Sequence, residues 1–371
     1  MPTPDVSSLT QQVLWASFVL SAVFGAIAQR THFCTMGAVS DIVNIGDWTR
    51  MRQWALAAGV AMLGFAGLVF AGWIDPAKTL YASPRWIWLS ALVGGALFGF
   101  GMVLASGCGS KTLVRIGGGS LKSVIVFVVM GVAAFATLKG ITAVLRVDTV
   151  DRVAVELATV AALPQLLAPS LGLSLGQASL AIALLVGGLL VVWALRGPEF
   201  VCLDNLLAGL GIGAVVVAMW WVSGHLGHVP EHPDTLQEAF LATNSGRIEA
   251  MSFVSPVAYT LDWLMFFSDK SKVLTLGIVS VFGVVAGSFA IAVVTRSFRW
   301  ESFGGTEDVV NHLAGAVLMG VGGVTNMGCT IGQGLSGLST LSLTSMVALA
   351  AILMGAVAAF KYQGWRLDRM L

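Results

Sequence analysis

Hydrophobic and polar positions alternate along this chain on the scale of whole helices rather than of faces. Apolar runs fall near 11–29, 53–74, 86–106, 120–144, 175–195, 205–223, 273–295, 309–327 and 338–360. Each is close to the roughly 20 residues that a helix needs to cross a hydrocarbon core about 30 Å thick. The pattern therefore predicts an all-α polytopic membrane protein of about nine transmembrane helices. Between the runs lie two polar stretches of note. Residues 146–156 are expected to lie at the membrane surface as a short amphipathic helix, and 224–272, rich in His, Pro and acidic side chains, reads as an extramembrane loop. The opening MPTPDVSSLTQQ lacks the basic stretch and small-residue cleavage site of a signal peptide, so the first run is expected to remain as a span.

Internal repetition sharpens this picture. Sliding the sequence by 221 residues lays Gly94 on Gly315, Gly99 on Gly320, Gly101 on Gly322, Gly107 on Gly328 and Cys108 on Cys329. After the cysteines a one-residue slip puts Gly117 over Gly337. A weaker pair joins the segments around Cys34 and Cys202, each with an arginine shortly before the cysteine. The chain thus divides into a first transmembrane repeat over 1–160 and a second over 161–371 that carries the 224–272 insertion. With nine spans Cys108 and Cys329 enter from opposite faces. That is the expectation for an inverted repeat with central, cysteine-bearing re-entrant loops, whose sites form at the repeat interface. Glycines 94, 95, 99 and 101 are read as helix-packing positions. The run Ile116-Gly-Gly-Gly-Ser120 breaks helix instead, and irregular backbone at membrane depth belongs where it lines a polar pathway.

Composition agrees and narrows the function. Of 371 residues 57% are hydrophobic and 11% charged, against roughly 25% charged in soluble domains. Twenty Lys and Arg against 19 Asp and Glu, with no basic tract, speak against nucleic-acid binding. With the amino terminus outside, twelve of the twenty basic residues fall on the inner side, so the carboxyl terminus is expected in the cytoplasm. No CxxC or CxxH pair occurs, and no histidine lies near Cys108 or Cys329, so neither a metal nor another cofactor is expected.

All four cysteines sit where a span meets a turn. A protonated thiol is neutral, weakly donating and polarizable, so it contacts a soft sulfur atom without trapping an ion. Hard oxygens suit backbone N–H groups, such as those of Gly107, Gly109 and Gly328, and hydroxyls such as Ser106, Ser110, Thr112, Thr330, Ser336 and Ser339. Lys111, Arg115 and Lys122 would concentrate anions at one mouth. The residues thus suggest passage of a thiosulfate-like anion rather than catalysis. A membrane thiol enzyme moving persulfide sulfur or disulfide equivalents is the alternative, favoured by Lys111 and Arg115 beside Cys108. It is disfavoured by the lack of any charged residue within fifteen positions of Cys329. A selenium-containing anion is a further alternative. No GK[ST] phosphate-binding loop is present.

The segments QRTHFCTMGAVSD, GFGMVLASGCGSKTLVRIGGGSLKS and MGVGGVTNMGCTIGQGLSGLSTLS resemble, in the same order, three signature segments of the YeeE/YedE sulfur-transport family. The resemblance implies an hourglass-shaped helical protein of the inner membrane, multi-pass in the lipid bilayer. Short loops dip to its centre, and cysteines hand thiosulfate along through S–H···S contacts. It places the three functional cysteines on Cys34, Cys108 and Cys329. It also implies, for some members, a small cytoplasmic sulfur-carrier protein as partner. Cys202 has no counterpart in the pattern, and the 224–272 segment is larger than the pattern needs.

Overall fold

A computed structural model describes residues 6–369; the extreme ends of both sequence repeats, and the first five residues of the leader reading, lie outside the described residues. Helices dominate. They are α1 (Val6–Thr31), α2 (Thr35–Ile45), α3 (Thr49–Phe70), α4 (Trp88–Leu104), α5 (Gly109–Gly117), α6 (Leu121–Lys139), α7 (Ile141–Asp148), α8 (Leu163–Leu171) and α9 (Leu175–Leu195). They continue with α10 (Leu203–Leu206) and α11 (Ile212–Trp221), which π turns join into one helical stretch Leu203–Leu226, then α12 (Ser255–Met265), α13 (Leu276–Val294), α14 (Thr306–Thr325) and α15 (Leu343–Asp368). Two short antiparallel strand pairs, Arg85–Trp86 with Val155–Glu156 and His228–Val229 with Ala239–Phe240, tie loops together. Among the described residues nine helical stretches are long and apolar enough to cross a membrane, including 203–226.

Three local expectations change. The span expected over 120–144 stops at Lys139, because Gly140 takes an extended conformation (φ −107°, ψ −154°) and α7 starts anew. The 146–156 stretch is not one amphipathic helix. It holds the end of α7, a 3₁₀ turn at Val150–Arg152 and the Val155–Glu156 strand, fixed by the Arg146–Asp151 ion pair at 3.1 Å. The 224–272 segment is mixed: Ile248, Met251, Phe253, Val254, Val257 and Ala258 are buried, so apolar residues between the polar ones carry its middle into the core.

Element boundaries repeat. Moving α4 by 221 residues gives 309–325, ending where α14 ends, and moving α6 gives 342–360, which falls almost wholly within α15. Moving α2 by 220 gives 255–265, the bounds of α12. The position matching Cys34 is therefore Val254, not Cys202, which is exposed at the start of α10. By this shift α3 overlaps α13, α4 matches α14 and α6 matches α15, whereas α1 and Leu203–Leu226 correspond only in preceding α2 and α12; α9 has no counterpart.

Glycines set how the halves meet. A Cβ on Gly94 would sit 2.8 Å from the Gly322 carbonyl oxygen, and one on Gly101 would sit 2.7 Å from that of Gly315, so α4 and α14 cross antiparallel at backbone contact. These contacts are reciprocal, since Gly94 corresponds to Gly315 and Gly101 to Gly322. The same exchange recurs outside this pair: Gly99 abuts Ile352 and Ala356 of α15, and Gly320 abuts Met130 and Ala134 of α6. Small residues at these positions let the backbones approach closely.

Candidate functional site

Three of the four cysteines are buried: Cys34 is 5%, Cys108 1% and Cys329 0% exposed. Each caps the N-terminus of a short helical segment. The carbonyls of Cys34, Cys108 and Cys329 accept the first helical hydrogen bonds from the N–H groups of Ala38, Thr112 and Gln333, at 3.0, 2.9 and 2.8 Å. Each cysteine follows, two residues on, a non-glycine residue in the left-handed region: His32 (φ 52°), Ser106 (φ 56°) and Met327 (φ 62°). Such residues are uncommon, and they turn the chain sharply so that the next helix starts at the thiol.

The Cys108 and Cys329 turns are hydrogen-bonded alike. Ala105, Ser106 and Gly107 donate to Gly101, Val103 and Met102, while Asn326, Met327 and Gly328 donate to Gly322, Val324 and Gly323. The sulfurs differ in their company. Gly37 N–H donates to Cys34 Sγ and Gly332 N–H to Cys329 Sγ, each at 3.4 Å, whereas Cys108 Sγ lies 3.2 Å from the Ser110 hydroxyl. The N–H of Phe253 also reaches Cys329, and a Cβ on Gly109 would meet Phe253 and the Met130 methyl within 4 Å. Phe253 therefore stands between the two turns, level with the middle of α6. Cys108 lies within electrostatic range of both Cys34 and Cys329.

Cations gather at the Cys34 end. Half-buried Lys111 lies within range of Cys34, Cys108, Arg115 and Arg50. Arg50, which sequence reading treated only as inner-side charge, packs over Gly37 and is held by Asp41 at 2.6 Å. Lys122 is a correction: it is paired with Glu301 at 2.5 Å and is not free at the mouth.

The predicted hydroxyls divide. Thr112 donates to the Cys108 carbonyl, Ser336 to that of Met251 and Ser339 to that of Ser336, so these are occupied by structure. Thr330 is not. Its hydroxyl belongs to a set of buried polar atoms without partners in the second turn: Asn326 Nδ2, Thr330 Oγ1, Gln333 Oε1, Ser342 Oγ and Ser345 Oγ, on residues no more than 1% exposed. Asn326 and Gln333 escaped the sequence reading, which weighed hydroxyls and not amides. Buried polar groups are nearly always satisfied, so these atoms are the spare hydrogen-bonding capacity of the second turn.

Two cavities approach the Cys329 turn. One of about 240 Å³ is lined by Arg146, Glu249, Ser252, Tyr259, Ser280 and Met327 among others. The other, of about 90 Å³, is lined by Tyr81, Arg85, Met327, Gln333, Ser342 and Thr344 among others, and shares Leu80 and Met327 with the first. Tyr81 donates from its hydroxyl to the Gly332 carbonyl at 2.6 Å, at the foot of the cysteine turn.

The sequence pattern of the family described as Sulphur transport matches residues 30–358. The chain is 25% identical over 347 residues, 92% of each chain, to a protein named thiosulfate transporter TsuA from Escherichia coli (strain K12). It is 24% identical over 363 residues to the protein of that name from Spirochaeta thermophila, covering 92% of this chain and 97% of the other. A probable transporter YedE of Escherichia coli is 28% identical over 110 residues, 30% of this chain and 26% of its own.

Proposed function

This chain belongs to the Sulphur transport family, and on that premise we propose that it carries thiosulfate, or a closely related sulfur-containing anion, across the cytoplasmic membrane through a relay of cysteine thiols. The observation that carries this reading is the set of three buried thiols, each at the N-terminus of a short helical segment. Helix N-termini bear partial positive charge and free N–H groups, which favour an anion. In this reading each sulfur accepts a backbone N–H or a hydroxyl and keeps its own S–H to offer to the terminal sulfur of the ion. The oxygens are held by the N–H of Gly109, by Ser110 and Thr330, and by the amide of Asn326; the N–H groups of Gly107 and Gly328, expected to share this role, instead donate to the Met102 and Gly323 carbonyls at 2.8 and 2.7 Å and close the turns. No single station binds tightly, as passage through successive sites requires. Lys111, Arg115 and Arg50 draw the ion from Cys34 toward the cytoplasm.

The reading also includes an inverted repeat with re-entrant loops. The reciprocal glycine contacts of α4 and α14 are those of a two-fold axis between like elements. Five of the nine spans separate the start of one set of four from the start of the other, and an odd number reverses direction. With nine spans the termini lie on opposite faces, and the excess of basic residues in the inner loops favours the amino terminus outside and the carboxyl terminus inside. Moving a dianion inward costs about 2.3 kcal/mol per charge per 100 mV, so capture by a small cytoplasmic sulfur-carrier protein would draw the flux inward. A membrane thiol enzyme is the second reading. It is favoured by Lys111 beside Cys34 and Cys108 and would show as rapid alkylation of Cys108 well below pH 8.

Uptake of radiolabelled thiosulfate into vesicles tests the proposal. The wild-type protein is expected to take it up with no competition from sulfate, and C108S and C329S to lose uptake while remaining folded. Uptake by C329S at the wild-type rate would overturn the relay. A folded wild-type protein that takes up nothing would overturn the substrate.

A further inference from the structure

The cavity of about 240 Å³ leads to the Cys329 turn and does not explain itself through the thiols. Its floor is Met327, two residues before Cys329, and its wall includes Ser252, whose hydroxyl sits 2.6 Å from where a Cβ on Gly332 would be. Ser280 adds a buried hydroxyl without a partner. The chamber sets a few polar groups in a largely apolar wall that includes Leu80, Leu138, Pro256 and Leu276, and it is of a size for a small oxyanion with water. Its charged lining among the described residues is one base and one acid, Arg146 and Glu249. The base is already matched, since Arg146 pairs with Asp151 at 3.1 Å. The acid is not: Glu249 accepts the Ser245 N–H at 2.8 Å together with the Ser245 hydroxyl and the Asn244 N–H, and among the described residues no ion pair holds it.

An anion entering this chamber meets an unmatched carboxylate, and like charges at short range in a poorly solvated site repel strongly. We propose that the chamber is a proton-linked entry site for the transported anion, in which Glu249 takes up a proton as the ion arrives and gives it back when the ion moves on to Cys329. This rests on the transport reading above. The proton comes from the outer solution and returns to it or follows the ion; no bond of the ion is made or broken.

The surroundings of Glu249 fit that role. Tyr259 faces it from α12, and further along that helix Asp262 is neutralised by Lys272 at 2.6 Å. Arg146 faces the chamber from α7, Ser280 from α13, and Tyr81 lies within electrostatic range of both Glu249 and Cys329. Burial pushes the Glu249 carboxyl above the ordinary carboxylate range. The sign follows: the protonated form is reached at a higher pH than for a free glutamate, and lowering the outer pH favours anion entry.

Calorimetry of thiosulfate binding to the full-length protein in nanodiscs, at several pH values and in two buffers of different ionisation enthalpy, tests this. Wild-type affinity is expected to fall about tenfold per pH unit above the carboxyl pKa, with about one proton taken up per ion bound. E249Q is expected to bind with pH-independent affinity and no proton uptake, and E249D to keep both. Binding without proton uptake in the wild type, or an E249Q titration like that of the wild type, overturns the inference alone. The two-buffer comparison on the wild type decides even if E249Q does not fold. No binding at any pH overturns the transport reading and this inference with it.

Discussion

At the scale of residues, the left-handed position two before each buried cysteine is the feature that makes a helix begin at a thiol. For an ordinary side chain that conformation costs roughly 1–2 kcal/mol, which glycine avoids. S106G is expected to leave thermal stability in detergent unchanged or raise it by up to about 1 kcal/mol, whereas S106V should lower it, since a β-branched side chain tolerates φ 56° poorly. The unpaired polar cluster gives a prediction with two opposed signs. Each buried group without a partner costs about 1–3 kcal/mol, so T330V should raise the stability of the empty protein, while N326L, which also removes the Oδ1 acceptor of the Gly328 N–H, should not; both should lower uptake by about tenfold or more. Uptake left intact by both would remove these side chains from the path. The cysteines were legible in the sequence because glycine-rich repeats frame two of them. Asn326 and Gln333 were not, because a lone amide in an apolar run has no spacing that distinguishes a site from a packed core. Only the absence of partners in three dimensions marks them.

At the scale of elements, close helix approach is the dominant constraint. A Cβ on Gly99 would fall 2.0 Å from the Ile352 carbonyl oxygen, whereas one on Gly188 meets nothing within 4 Å. G99V should therefore push α4 from α15 and cost about 2 kcal/mol or more, and G188A should be tolerated, both read by thermal unfolding in detergent. Outside the spans, Glu238 is bonded to Lys78 and His228, each at 2.6 Å. These bonds hold its carboxyl below the usual range, and Glu238 in turn holds the Lys78 ammonium above its own. The carboxylate contribution is thus present above the unfolded glutamate pKa and lost as pH falls through the folded one; the lysine contribution is lost only as pH rises through its folded value. All three side chains are a third or more exposed, so solvent screening keeps the effect within about 0.2–1 kcal/mol. E238Q should lose that much near neutral pH and differ little from wild type in strong acid. The spans were legible from length and hydropathy alone. The stop at Gly140 was not, because the apolar run continues past it and one glycine does not announce a break.

At the scale of the whole molecule, the nine-span count and the 221-residue repeat were legible, because both are written in composition and glycine spacing. The pairing of Cys34 with Cys202 was misleading: a shared Arg and Cys outweighed helix boundaries that the sequence alone does not display, and the true counterpart, Val254, carries no thiol. Orientation can be tested on a C202S background, which removes the exposed thiol. An impermeant thiol reagent on intact cells should label S271C and not N44C; labelling of both would contradict the proposed topology. If the proposed inverted repeat holds, the unmatched helix α9 has a historical meaning. Fusing two copies of a four-span ancestor end to end leaves both pointing the same way, because four is even. One additional crossing turns the second copy over. On the proposed inverted repeat, a single helix with no counterpart is what such a fusion would leave, and α9 would matter to it through parity rather than chemistry.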